Sequence, residues 1–129
     1  MNAEIKAHWL TELRSGTYLP NANGFLATRP TDGGPTSYSP LGVLCELAIK
    51  AGVAVTKHQN LSEWLPGQLA TSYDGEAISL PPAVAQWADA PPLLWLKQDT
   101  PSRITNIAVI SRENTGTFDE VAGLIDQHL

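Results

Sequence analysis

The sequence predicts an α+β fold: a small single domain in which three or more helices pack on a short antiparallel sheet. Apolar residues recur with helical spacing near the start, the middle and the end of the chain. Between these segments lie short apolar runs of strand length, cut by Gly, Pro and Asp-Gly turn signals. At 129 residues the chain has the usual length of one domain, and it shows no repeat or low-complexity stretch, so residues 1–129 are read as one unit.

Ile5, Trp9 and Leu13 stand at i, i+4 and i+8 with Leu10 beside them. With Asn2 as cap and Gly16 as stop, this spacing predicts a helix over residues 3–15. From Thr17 to Pro40 the character changes: the stretch holds four of the ten prolines, and its densest apolar patch, Gly24–Ala27, is read as a short strand. Asp32-Gly33-Gly34-Pro35 then supplies a tight turn. So long a connection in a compact domain points to function.

Pro40 opens the best-defined helix, in which Leu41, Val43, Leu44, Cys45, Leu47, Ala48 and Ile49 surround most of the cylinder and Gly52 ends it. An i, i+4 ion pair between Glu46 and Lys50 is expected on its one wet edge. Val53–Thr56 alternates weakly as a strand and Asn60–Leu65 reads as loop. Asp74-Gly75 predicts a hairpin turn between Leu69–Tyr73 and Glu76–Ile78.

Pro81 and Pro82 occupy the first turn of a short helix through Ala88, with Val84 and Trp87 on one face. Leu93–Lys97 is an apolar run of strand length, and Pro101–Ser111 is read as a short helix, although its β-branched residues also suit a strand. Thr117 and Glu120 form a capping box for a final helix whose inward face is Phe118, Val121, Leu124, Ile125 and Leu129.

Eight Lys and Arg against thirteen Asp and Glu leave a net charge of −5, and the cations are scattered. Nucleic acid, which demands clustered cations, is therefore not an expected partner. A compact anion needs only one or two well-placed arginines. Cys45 is the only cysteine, which excludes an intramolecular disulfide framework and any multi-cysteine metal site. Charges at Glu4, Lys6, Glu12 and Arg14 replace the apolar run of a signal peptide, and no stretch reaches membrane-spanning length. These features favour a cytoplasmic protein with no membrane partner.

No complete catalytic motif is present. His8, His58 and His128 lack metal-ligand spacing, and no metal or cofactor is expected. Cys45 could act as a nucleophile with His58 or His8 as base, but a thiol inside an apolar helix reads first as a small buried hydrophobe. Glycines 33, 34 and 42 suggest a phosphate cradle, yet they follow neither P-loop nor GxGxxG spacing, and an ordinary turn is the default. Asp74, Glu76, Asp89, Asp99 and Glu113 fall mostly in turns, where solvated acids belong.

The constellation best suited to a ligand is Arg29 and Tyr38, with Thr28 just before Arg29 and Gly33 and Gly34 in the loop between them. A guanidinium grips phosphate bidentately and a tyrosine stacks on a base. Taken singly, a solvated arginine and a tyrosine packed over the core helix are the plainer readings. Trp64, between polar neighbours and outside any helix, is a further stacking or interface candidate, whereas Trp9 and Trp87 lie on apolar helical faces.

Four strings in order, WLTELRSGTY (Trp9 to Tyr18), LGVLCELAIKAG (Leu41 to Gly52), SLPPAVAQWA (Ser79 to Ala88) and TGTFDEVAGLIDQHL (Thr115 to Leu129), touch nearly the whole chain. Together they resemble a family of small, functionally uncharacterised proteins encoded in bacteriophage genomes and prophages, of which the LGVLC helix motif is the most specific part. The matching positions are mostly apolar or turn-forming, so the resemblance implies a common fold before a common chemistry. Members of that family often carry a cysteine pair just before LGVLC. Ser39 and Pro40 stand there in this chain, which counts against a thiol or metal role built on the pair.

A phage setting implies control of host proteins or defeat of host immunity. The expectation that follows is a non-enzymatic homo-oligomer that sequesters a small, anionic, nucleotide-derived immune signal. The alternatives are a protein-interaction module that inhibits a host factor through exposed tryptophans, and a small hydrolase using Cys45 or a carboxylate.

Overall fold

Local sequence sets the helices. A computed structural model describes residues 2–21, 25–62, 65–89, 122–123 and 125–126, and the backbone of 95–97 and 104–106. Helix α1 (Ala3–Arg14) starts where the Asn2 side chain accepts hydrogen bonds from the amides of Glu4 and Ile5, at 3.0 and 3.1 Å. It buries Trp9, Leu10 and Leu13, as the spacing predicts. Helix α2 (Pro40–Lys50) is capped by Ser39, whose Oγ accepts from the Gly42 amide at 3.2 Å. Its end is a Schellman motif: Gly52, at φ +95°, donates to Ile49 O, and Val53 donates to Ala48 O. Helix α3 (Pro82–Ala88) begins at the paired prolines, stops at Asp89 in the left-handed region, and buries Val84, Ala85 and Ala88.

The main sheet has five strands: β1 (Leu19–Pro20), β2 (Ala27–Pro30), β3 (Ser37–Tyr38), β4 (Lys57–Leu61) and β5 (Gln68–Tyr73), in the order β1-β3-β2-β5-β4. All its pairings are antiparallel except β1 with β3, so the sheet is mixed. A separate antiparallel pair joins β6 (Trp95–Lys97) to β7 (Ile104–Asn106). The fold is thus α+β, as predicted.

Helix α2 is the centre of the core: Leu41, Val43, Leu44 and Cys45 are fully buried, with Trp9 from α1, Leu26, Tyr73 and Leu80 around them. The Trp9 indole N–H donates to Pro40 O at 2.8 Å, which locks α1 against the start of α2. The Asn2 amide donates to Ala88 O, which ties α1 to α3. Residues 122, 123, 125 and 126 are helical, and Ala122 and Ile125 join the core. The proposed cap at Thr117 and Glu120 lies outside the described residues.

Several expected boundaries move. The strand expected at Gly24–Ala27 is β2, which runs Ala27–Pro30, so Thr28 and Arg29 belong to a strand and not to a loop; Gly24 lies outside the described residues. Val53–Thr56 forms no strand; the strand is Lys57–Leu61, which takes in Asn60 and Leu61, read as loop. All its residues are exposed, so it has no buried face to produce an alternating pattern. Asp74 and Gly75 do make the expected turn, both at positive φ, but beyond it only Glu76 bridges back to Tyr73, and β5 pairs instead with β2 and β4. Ile104–Asn106, read as helix, is strand β7, where β-branched Ile104 and Thr105 are more at ease.

The Glu46–Lys50 ion pair is not formed. Glu46 faces the sheet, accepting at Oε1 from Lys57 Nζ at 2.8 Å and Tyr73 OH at 2.9 Å. Lys50 instead donates to Tyr18 OH at 2.8 Å.

Candidate functional site: the β2–β3 hairpin and the polar edge of helix α2

Strands β2 and β3 form a hairpin whose register pairs Ala27 with Tyr38 and Thr28 with Ser37. Side chains alternate across a sheet, so Ala27, Arg29 and Tyr38 share one face and Thr28 and Ser37 share the other. Arg29 is diagonal to Tyr38, a spacing of ~7–8 Å between backbones and within reach of long side chains. The face they share is the one that α2 covers, as the Tyr73–Glu46 and Lys57–Glu46 contacts on neighbouring strands show. Arg29 is exposed, and its side chain makes no ion pair or hydrogen bond among the described residues.

Tyr38 is held differently. Half-buried, it meets Tyr18 edge to face, with ring centroids 5.2 Å apart. Tyr18 in turn lies under the Lys50 ammonium, 5.2 Å from its ring centroid. Burial, and then the Glu46 charge, raise the Tyr38 hydroxyl above the ordinary phenol value. Tyr38 therefore stays a neutral phenol at physiological pH. Lys50 is pushed up, first by its hydrogen bond to Tyr18, and keeps its charge.

The remaining sequence candidates divide. Thr28 is buried, and its hydroxyl lies 3.1 Å from Ser37 Oγ on the opposite face from Arg29, so it braces the hairpin instead of meeting a ligand. Gly33, at φ +92°, and Gly34 shape the connecting turn. Gly33 N–H donates to Pro30 O and Gly34 N–H to Asp32 Oδ1 at 3.0 Å, so both amides are spent within the loop. Trp64 lies outside the described residues. The structure thus brings Arg29 and Tyr38 together and withdraws Thr28, Gly33 and Gly34 from direct contact.

Cys45 is fully buried, and desolvation, with Glu46 next, raises its thiol well above the ordinary value. A thiol held protonated is a poor nucleophile. His58 sits exposed on β4, paired with Ser72 on the face away from Glu46. His8 is exposed beside Glu12 at 3.6 Å. No cluster of three or more His, Cys, Asp or Glu able to hold a metal occurs among the described residues. No helix among them is long and apolar enough to cross a membrane.

Sequence reading missed the polar strip itself, in which Lys57 and Tyr73 hydrogen-bond to Glu46, and Lys50 hydrogen-bonds to Tyr18, whose ring meets Tyr38 edge to face. Its members come from α2, β3, β4, β5 and the segment before β1, and only strand register assembles them.

Residues 1–129, the whole length that carries this hairpin and strip, match the family described as Domain of unknown function (DUF8296). The chain belongs to that family. No curated protein and no solved structure matches it. For this DUF8296 chain the chemistry is therefore argued from its own side chains.

Proposed function

We propose that this protein is a non-enzymatic binder that captures a small, anionic, nucleotide-like molecule on the helix-side face of its β2–β3 hairpin. It would thereby withhold that signal from its receptor in the cytoplasm of an infected bacterium. The observation that carries the reading is the register, which sets the exposed Arg29 guanidinium, unpaired among the described residues, diagonal to the half-buried ring of Tyr38 on one face. In this arrangement the guanidinium takes the phosphate and the tyrosine takes the base. The phage setting rests on the resemblance of the LGVLC helix and its flanking strings.

Calorimetry against a panel of cyclic and ADP-ribose-type nucleotides tests the proposal. One class should bind, and Arg29→Ala should weaken it by roughly 10- to 100-fold, the usual worth of a charged hydrogen bond. Because the Arg29 side chain makes no ion pair or hydrogen bond among the described residues, the variant should keep the native thermal midpoint. Absence of binding across the panel, or equal binding by Arg29→Ala, overturns the proposal. Co-purification of a stoichiometric host protein from a lysate would favour the reading as an inhibitor of a host factor.

A further inference from the structure

Strand β4 ends the sheet, and among the described residues nothing pairs with its outer side. In an antiparallel ladder, alternate residues turn both backbone groups toward the partner. At one end of β4 the Asp74 amide donates to Thr56 O, and at the other the Ser62 amide donates to Gln68 O. With Lys57 opposite Tyr73 and Leu61 opposite Leu69, this parity turns Thr56, His58, Asn60 and Ser62 toward β5. Lys57, Gln59 and Leu61 therefore present their N–H and C=O groups outward.

Natural edge strands are guarded by a proline, a bulge or a charge projecting along the edge. Lys57–Leu61 contains no proline and pairs with β5 without a break. Its one formal charge, Lys57, is drawn back over the sheet, 2.8 Å from Glu46 and 5.8 Å from the centroid of the Tyr73 ring. At the other end Leu61 leaves 72% of its surface exposed, the most of any large apolar residue described. Among the described residues this edge is open, and it carries an apolar residue.

We propose that β4 pairs with β4 of a second copy of this chain, antiparallel about a two-fold axis at Gln59, so that two five-stranded sheets become one continuous sheet. The outward groups fit that axis. Lys57 meets the partner's Leu61 and Gln59 meets its own copy, each with the N–H and C=O that complete a ladder of about six bonds. Centring the axis on His58 or Asn60 shortens the ladder.

The side chains also match. Two Gln59 amides lie side by side and can exchange hydrogen bonds, and His58 faces the partner's Asn60 as a donor–acceptor pair. Leu61 is covered by the methylene stem of the partner's Lys57. Charge permits the contact, because β4 holds no carboxylate and the two lysines stand roughly 13 Å apart along the strand direction. That exceeds the Debye length of ~10 Å at 0.1 M salt. A pairing this short falls below the ~1,200 Å² of a standard interface, so the dimer is reversible and concentration-dependent. Arg29 is on β2, away from this edge, and the inference does not rest on the ligand reading.

Sedimentation velocity of the full chain from roughly 1 μM to 1 mM, the range of weak association, should show a monomer–dimer equilibrium. Gln59→Pro removes an amide that points outward, so the β4–β5 ladder survives while the central bonds of the dimer are lost. This variant should be monomeric throughout, with a native circular dichroism spectrum. Leu61→Lys sets like charges directly opposite each other twice per dimer and should weaken association by about tenfold. Leu61→Glu sets opposite charges there and should keep or tighten it. A native chain that stays monomeric up to the highest concentration overturns the proposal, and so does equal dimerisation of Leu61→Lys and Leu61→Glu. Should Gln59→Pro fail to fold, the pair of charge variants decides.

Discussion

Replacing Gly42 with alanine tests how tightly helix α2 is seated on the sheet. Gly42 lies in the first turn of α2, directly over the backbone of Leu26. A Cβ at 42 would overlap the Leu26 carbonyl oxygen and stand 2.7 Å from its carbonyl carbon. Neither side can retreat freely. The same oxygen accepts from the Ser39 amide at 3.1 Å, the Leu26 amide is held by Ala77 O at 2.8 Å, and Gly42 itself is held by the Ser39 cap. On helix propensity alone, alanine would gain about 1 kcal/mol over glycine. Against this stand a backbone hydrogen bond, worth about 1 kcal/mol, and the strain of overpacking, about 1–3 kcal/mol. The net expectation is a loss of about 1–3 kcal/mol. With a urea m-value of about 2 kcal/mol/M, the unfolding midpoint should fall by roughly 1 M. Gly123 is the control: it is helical, with open space where its Cβ would be, so Gly123→Ala should raise the midpoint by roughly 0.5 M or less. If Gly42→Ala stabilises the protein as Gly123→Ala does, the close approach of α2 to Leu26 is refuted.

Burial raises the Cys45 thiol and the Tyr73 hydroxyl above their ordinary values. Acids of that kind hold their protons more tightly when folded, so their contribution is complete at neutral pH and is lost as pH rises past the unfolded values, ~8.5 for the thiol and ~10 for the phenol. Urea titrations from pH 7 to pH 11 should show stability declining from about pH 8.5, by about 1.4 kcal/mol per pH unit for each group past its unfolded value. Cys45→Ala should flatten the first limb and Tyr73→Phe the second; unchanged slopes would contradict the burial. Asn2→Ala should cost about 1 kcal/mol and speed hydrogen exchange at Glu4 and Ile5, whose amides it caps. In the proposed binding site, Tyr38→Phe keeps the ring and should bind nucleotide like the native chain, whereas Tyr38→Leu should lose roughly tenfold or more, the worth of a stacked base. Equal affinity in calorimetry would remove Tyr38 from the site.

The helices were legible in the sequence because each carries a start signal, an apolar stripe and a stop. Asn2, Pro40 and Pro81-Pro82 mark the starts, and Gly52 supplies the positive φ that ends α2. The sheet was less legible, for reasons that differ by strand. Strand β4 has no buried face to pattern, and β1 and β3 are two residues each, too short for any period. Arg29 and Tyr38 could be selected by chemical type, but their shared face depends on the pairing of Ala27 with Tyr38, which no local signal specifies. Glu46 shows the same limit: helical spacing offers Lys50 as its partner, while tertiary register delivers Lys57 and Tyr73.

That rearrangement at Glu46 bears on binding. A Glu46–Lys50 pair would have left Tyr18 without its cation and Tyr38 with a less constrained neighbour. Instead Lys50 fixes Tyr18, Tyr18 fixes the edge of Tyr38, and the aromatic surface is in place before any ligand arrives. Ordering a side chain on binding costs about 0.5–1.5 kcal/mol. Between the two proposed contacts only Arg29, exposed and unpaired, would bear that cost in full. The proposed stacking contact would then contribute nearly its whole strength. If the proposed binding holds, a fixed ring beside an exposed cation would suit ligands that share a base but differ in how their phosphates are arranged, and so would favour a class of nucleotides over a single one.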